Sequence, residues 1–420
     1  MQFFKIKYPP IQNEQKYGQL ESFSYFQVNN AYVTPKNPPM TIDSQAKVLS
    51  NRYLALDVLR GMTIAFMIIV NTPGSWSNLY GPLAHADWHG FTPTDLVFPT
   101  FLFVVGNAMS FAMKKLQEIP KSQFYGKVFK RTFLIFLIGW LLNAFPFFDY
   151  NEAGDLVFIK LSEVRLVGVL QRIALCYFFA ALILYWGGEK LGWIFSGLAL
   201  LAYWPIMYYF GDAGDPYSLT GNAAIKLDRI LIGESRMYMG EGLPFDPEGI
   251  LSTLTSIVNV IAGFLVGKII QRKGNTSATV KTLLLAGIAL IAVSYFWDIF
   301  FPINKKIWTS PYVTLTVGWD LLILGLLIFV VEVRKQTKWT YFFQAFGRNP
   351  LILYVCSGVV ISIFSMIPVG ETSLQGQIYS TLFTSWLSPK NASFLFAISY
   401  MILIWLIGFW MDKRKIYIRV

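Results

Sequence analysis

Histidine and cysteine are nearly missing from this chain. Two of each occur in 420 residues: His85, His89, Cys176 and Cys356. Both cysteines sit inside apolar runs, QRIALCYFFAALIL and LILYVCSGVVISIF, which suits packed thiols better than a disulfide or a metal pair. No zinc or haem site is expected from so few ligands, and the expected metal content is none. Charge is scarce as well. Asp, Glu, Lys and Arg make up 14% of the residues, against about 25% in a soluble domain, so an ordinary soluble globular fold is excluded. The rarer sign is acidic, 24 residues against 35 basic, for a net charge of +11. The basic residues fall in alternate loops rather than in one patch, so no nucleic-acid partner is expected. No internal repeat is visible.

What the chain has in abundance is apolar length. It is 55% hydrophobic and 17% aromatic, and its apolar runs of about 20 residues match the hydrocarbon thickness of a lipid bilayer. The expected fold class is all-α: a polytopic membrane bundle of about ten spans, at 54–72, 94–114, 128–146, 163–186, 191–210, 247–270, 280–300, 310–333, 345–366 and 392–411. The interrupted stretch 376–387 reads as a surface-lying or re-entrant piece. Residues 1–50 are polar and lack the apolar core of a signal peptide. They read as a disordered leader, with Met40 as an alternative start and 51–420 as the membrane domain. Basic clusters mark one side: Lys114, Lys115, Lys121, Lys127, Lys130 and Arg131; Lys268, Arg272, Lys273 and Lys281; Arg334, Lys335 and Lys338; and Lys413, Arg414, Lys415 and Arg419. The loop 73–93 has no Lys or Arg. Both termini are therefore expected in the cytoplasm, and loops 73–93 and 211–246 outside. The thirteen tryptophans mostly suit interfacial belts.

Chemistry concentrates between Arg52 and Lys114. Asn71 ends the first apolar run, both histidines lie in HADWHG, and Asp95 opens the second run. Histidine accepts a proton near neutral pH, a carboxylate can fix its tautomer, and an amide can donate to an oxyanion. Those are the three parts that acyl transfer needs. The bland alternative makes the histidines interfacial loop residues and Asp95 a helix cap, shared with Thr92 or Thr94. Asp57 and Arg60 share a helix face, either as an internal ion pair or as an anion site. Gln171 and Arg172 suggest a polar tunnel, while Arg165 could snorkel to the surface. Asp320 could pair with Arg172 or serve a proton path. In FDPEGILSTL, Asp246, Pro247 and Glu248 fit a helix start, yet the two carboxylates could also attract an amine.

Seven segments recur in a familiar order: RYLALDVLRG, HADWHG, TPTDLVFPTFLF, VRLVGVLQRIAL, FDPEGILSTLTSI, FPINKKIWTSPYV and FGRNPLILYV. Together, over about residues 52–411, they resemble the heparan-α-glucosaminide N-acetyltransferase family. That resemblance implies transfer of an acetyl group from cytoplasmic acetyl-CoA, across the membrane, to the amine of a glucosamine-type sugar or glycan. It implies His85 rather than His89 as the essential histidine, with Asn71 and Asp95 as its catalytic partners. It places Asp57 and Arg60 on the acetyl-CoA side, joined in our assignment by Gln171 and Arg172. Trp88, Arg165, Asp246 and Glu248 are then the expected acceptor-binding residues. A homodimer is expected, as in the animal enzyme. The animal enzyme's N-terminal luminal domain and extra span are not expected here, so a lysosomal protein is not expected and the acceptor need not be heparan. The expected location is a bacterial cytoplasmic (inner) membrane. The rivals are an amino-sugar transporter and an O-acetyltransferase of envelope polysaccharide.

Overall fold

A computed structural model describes residues 53–150 and 155–418. The polar leader and its alternative start lie outside the described residues. Helix α1 (Leu54–Asn71) stops at Asn71 because Thr72 precedes Pro73, and a proline ring disfavours helical backbone in the residue before it. A 3-10 turn, Pro93–Leu96, leads into α2 (Val97–Gln117). After α3 (Lys121–Ala144) comes a small antiparallel hairpin, β1 (Phe148–Tyr150) and β2 (Leu156–Phe158). Then follow α4 (Val169–Phe210), α5 (Ala223–Leu231), α6 (Ile250–Lys273), α7 (Ser277–Asp298) and α8 (Ser310–Leu327). The last part holds α9 (Thr340–Arg348), α10 (Pro350–Met366), a minimal hairpin of β3 (Pro368–Val369) and β4 (Thr372–Ser373), α11 (Leu374–Tyr379) and α12 (Pro389–Lys413).

Among the described residues, seven helices are long and apolar enough to cross a membrane, or eight if the bent pair α9–α10 counts as one span. Even eight is fewer than the ten expected runs, for two reasons. The run 128–146 lies in α3, whose first half carries Lys121, Lys127, Lys130 and Arg131. The runs 163–186 and 191–210 form one continuous element of 42 residues, α4. Straight, it would extend about 63 Å by helix rise, twice the apolar thickness of a bilayer. It is not straight. Gly188 has φ 53° and ψ −149°, a conformation open mainly to glycine. Arg172, in the first turn of one arm, has its guanidinium 4.9 Å from the Trp308 ring. Tyr203, far along the other arm, donates to the carbonyl of Ile307 at 2.7 Å. Both arms thus reach the 307–308 turn, and the chain folds back at Gly188.

The bundle's two ends differ. At one end Arg60 of α1 donates to Gly347 O at 3.3 Å, and Arg348 and Tyr341 bond to Asp412 near the end of α12. The Gly188 reversal is tied to the end of α6 by Arg272 and Glu189 at 2.5 Å. At the other end the close of α1 meets the starts of α2, α4 and α6 and the 299–309 turn.

Small residues let the central helices touch. A Cβ added at Gly106 of α2 would lie 1.7 Å from Val260 O, and one at Gly263 of α6 would lie 1.9 Å from Phe103 O. Membrane helices associate through such close backbone approach, because lipid supplies little hydrophobic drive between them. Gly106→Ala is therefore expected to destabilise the bundle by about 1–3 kcal/mol, the usual cost of overpacking. Gly126→Ala, inside α3 where a Cβ would meet nothing within 4 Å, should not destabilise the protein and gains up to about 1 kcal/mol of helix propensity. Thermal unfolding of the detergent-purified variants checks this; equal unfolding temperatures would refute it.

Candidate active site

The reactive loop is built from local capping. Thr92, Pro93 and Asp95 form a capping box at the start of the turn into α2, with the proline at its first position. The Oδ2 of Asp95 accepts from Thr92 N at 3.0 Å, Thr92 Oγ1 at 3.1 Å and Ala86 N at 3.1 Å. Thr92 Oγ1 also donates to Ala84 O at 2.7 Å, and Thr94 to Pro82 O at 3.1 Å. These bonds fold the loop back over the helix start. They leave the other oxygen of Asp95, Oδ1, for His85 Nδ1 at 2.7 Å. Asp95 is thus both cap and histidine partner, with one oxygen for each role.

Asn71, His85 and Asp95 line one cavity of about 250 Å³. Asp95 is buried, while the His85 side chain is 41% exposed. Arg165, Glu241, Glu248, Lys305 and Lys306 complete its charged wall, and Val169 and Phe98 are among its apolar residues. Lys305 Nζ lies 2.9 Å from His85 Nδ1, 3.3 Å from Nε2 and 3.5 Å from Asp95 Oδ1. Burial lowers the Lys305 ammonium below the usual lysine value, against the opposing pull of Asp95 and Glu248. The arrangement suits base-assisted acyl transfer: a carboxylate-held imidazole shares a cavity with an amide, and an amine already lies against the ring.

Sequence comparisons cover this part of the chain. Residues 52–218 fit the family model described as heparan-alpha-glucosaminide N-acetyltransferase, catalytic. The match spans Asn71, the whole loop and Asp95. That stretch is therefore similar to the catalytic region of the heparan-alpha-glucosaminide N-acetyltransferases. The human protein of that name is 31% identical over 363 residues, covering 73% of this chain and 53% of the relative. The mouse protein is 28% identical over 384 residues, covering 78% and 57%. The chain thus spans little more than half the length of these relatives.

The remaining residues expected from the family pattern divide by depth. Arg165 reaches the cavity but is heavily engaged: it holds Asp246 through two bonds of 2.9 and 2.7 Å, Glu248 at 2.6 Å, and lies 4.7 Å from the Tyr238 ring. It is not snorkelling to the surface. Asp246 is buried behind the wall, and its Oδ1 also accepts from Glu248 N at 3.1 Å. Glu248 faces the cavity. Burial alone would raise its pKa, but the guanidinium groups of Arg165 and Arg172 outweigh that and hold it low. Trp88 does not line the cavity. Its indole donates to Tyr217 O at 2.8 Å and packs on Phe245. His89 lies beside Asn304 at 3.3 Å, away from the cavity, and burial lowers its pKa.

Asp57 and Arg60 are paired at 3.6 Å near the opposite end of α1. Arg60 precedes Asn71 by eleven residues, about 16 Å by helix rise. Arg172 is separate from that pair. It sits in the first turn of α4, fully buried, donating to Gly249 O at 2.9 Å and to Ser252. Gln171 beside it is buried too. These two stand close behind the cavity rather than at the Arg60 end, so Arg60 and Arg172 do not share one anion site. Asp320 accepts from Thr100 at 2.5 Å rather than from Arg172. Sequence reasoning passed over Lys305 as a site residue. Its signal was present in FPINKKIW, a lysine pair set between two apolar runs.

Proposed function

We propose that this protein is a membrane N-acetyltransferase that moves an acetyl group from acetyl-CoA to the amine of a glucosamine-type sugar. The observation that carries the reading is the cavity shared by Asn71, His85 and Asp95, with the 2.7 Å bond that fixes the imidazole. With Nδ1–H donated to Asp95, Nε2, which Lys305 Nζ approaches to 3.3 Å, carries the lone pair that takes the proton of an incoming amine. The carboxylate stabilises the imidazolium so formed. The Asn71 amide donates to the oxygen that gains charge as the amine adds to the thioester carbonyl. His85 then returns its proton to the departing thiolate. Transfer is direct, because both substrates can meet at one imidazole.

The cavity lies just below the range of about 300–1,000 Å³ typical of drug-sized sites, enough for one sugar ring and the reactive end of a thioester. The nucleotide of acetyl-CoA therefore binds elsewhere, near Asp57 and Arg60, with its long arm running along α1. The ionised Glu248 attracts the sugar amine. Counting both arms of α4, together with α3 and the bent pair, gives ten crossings. The start of α1 and the end of α12 then share the cytoplasmic side with the basic clusters, and the cavity opens on the outer face. The membrane is the cytoplasmic membrane of a bacterium. The transporter rival gains little support, since the bent pair α9–α10 does not line the cavity.

Liposomes test the proposal. Protein reconstituted in one orientation, given labelled acetyl-CoA on the Arg60 side and glucosamine on the other, is expected to yield N-acetylglucosamine. Movement of unmodified glucosamine without acetylation would replace the enzyme with a transporter. Product formed only from sugar hydroxyls would replace N- with O-transfer.

A further inference from the structure

We propose that Lys305 is an internal acetyl acceptor: when no sugar amine is present, its Nζ takes the acetyl group at the His85 site, and the amide formed closes that site. The inference rests on the acetyltransferase reading above and extends it to a modification site within the chain. Its basis is position. Lys305 Nζ lies 2.9 and 3.3 Å from the two ring nitrogens of His85 and lines the same cavity as Asn71. That is where a sugar's primary amine would have to sit for His85 to take its proton. Lysine offers the same functional group, tethered to the protein, and tethering replaces a bimolecular encounter with a local one.

Its neighbour provides the contrast. Lys306 is held away from the imidazole by Asp87 O at 2.7 Å and Glu241 at 2.6 Å. Lys305 lies against the histidine, with a longer 3.5 Å approach to Asp95 and the more distant pull of Glu248. Its side chain is 18% exposed, so it is open to the cavity and screened from bulk water. Burial also favours its neutral, nucleophilic form.

The chemistry balances. Neutral Nζ adds to the thioester carbonyl, with one of its two protons passing to His85. The N–C bond forms, the C–S bond breaks, and the thiolate leaves as free CoA after taking that proton from the imidazolium. The product is an amide, which neither donates acetyl onward nor carries charge. A sugar amine must displace Lys305 to reach His85, so a bound acceptor protects the lysine.

The test uses the full-length protein in detergent, incubated with deuterated acetyl-CoA without acceptor and analysed by peptide mass spectrometry. Label at Lys305 is expected to exceed that at the exposed Lys127 and Lys130 by about tenfold or more. It should fall about a hundredfold in His85→Ala and fall when glucosamine is present. Wild-type activity should decline during the preincubation in step with the label, while Lys305→Arg keeps whatever activity it starts with. If glucosamine is acetylated while Lys305 stays at the level of exposed lysines, this inference fails and the enzymatic reading stands. Equal label at Lys305 in wild type and His85→Ala means uncatalysed acylation and also overturns it. If neither glucosamine nor Lys305 is acetylated, both fall.

Discussion

Changing His85 to alanine is expected to lower acetyl transfer to glucosamine by about 10²–10⁴-fold, the usual contribution of a positioned general base. The fold should survive the change. The loop is held by Asp95 Oδ2, Thr92 and Thr94, none of which bonds through the imidazole. The Asp95 carboxylate is not left bare either, because Lys305 remains 3.5 Å from Oδ1. A buried charge that keeps a partner avoids the heavy penalty of an orphaned one. Initial rates with labelled acetyl-CoA, read beside thermal unfolding in detergent, separate loss of chemistry from loss of structure. Activity within tenfold of wild type in a folded variant would remove His85 from the mechanism.

Much of this arrangement was legible in the chain. Each of the ten apolar runs is helical over most of its length, because runs of that length must satisfy their own backbone in lipid. The first run, expected over 54–72, ends one residue earlier at Asn71, and Asp95 with Thr92, the cap candidates, form a capping box. What periodicity could not give was the path between helices. The Gly188 reversal depends on one left-handed residue inside a continuous apolar sequence, so two runs became one element. The 84° bend between α9 and α10 falls at Asn349, which precedes Pro350. The clue stood in FGRNPL, but the apolar run hid it. Long-range charge pairing was harder still. Arg165 looked like a surface residue until the fold brought Asp246 and Glu248 to it from about 80 residues away. Lys305 reaches His85 across 220 residues. No local pattern encodes such a meeting. It depends on the 299–309 turn being pinned to the loop, through Gly90 N donating to Ile303 O at 2.8 Å and Lys306 donating to Asp87 O.

Asp95→Asn is the sharper test, because the wild-type carboxylate does two jobs that an amide cannot do together. Oδ1 faces His85 Nδ1, and Oδ2 faces the N–H groups of Ala86 and Thr92. An asparagine has one acceptor and one donor. With its oxygen toward the backbone, its NH₂ points at Nδ1, draws the imidazole into the tautomer protonated at Nε2, and removes the base. With its oxygen toward His85, its NH₂ meets two backbone donors and the loop loses its cap. The first orientation keeps more bonds and should prevail. Asp95→Asn is then expected to fold with the loop intact and lose about 10⁴-fold in turnover, as a wrong-tautomer change does in a catalytic triad. The apparent affinity for glucosamine should change far less, since Asp95 is 1% exposed and offers a sugar almost no surface. Limited proteolysis across 73–92 reports on the cap, and kcat measured apart from KM reports on the tautomer. A variant with a protease-resistant loop and turnover within tenfold of wild type would leave Asp95 a helix cap and nothing more. A cleaved loop with fast residual turnover would show that the cap, not the orientation of His85, is what this carboxylate was built for.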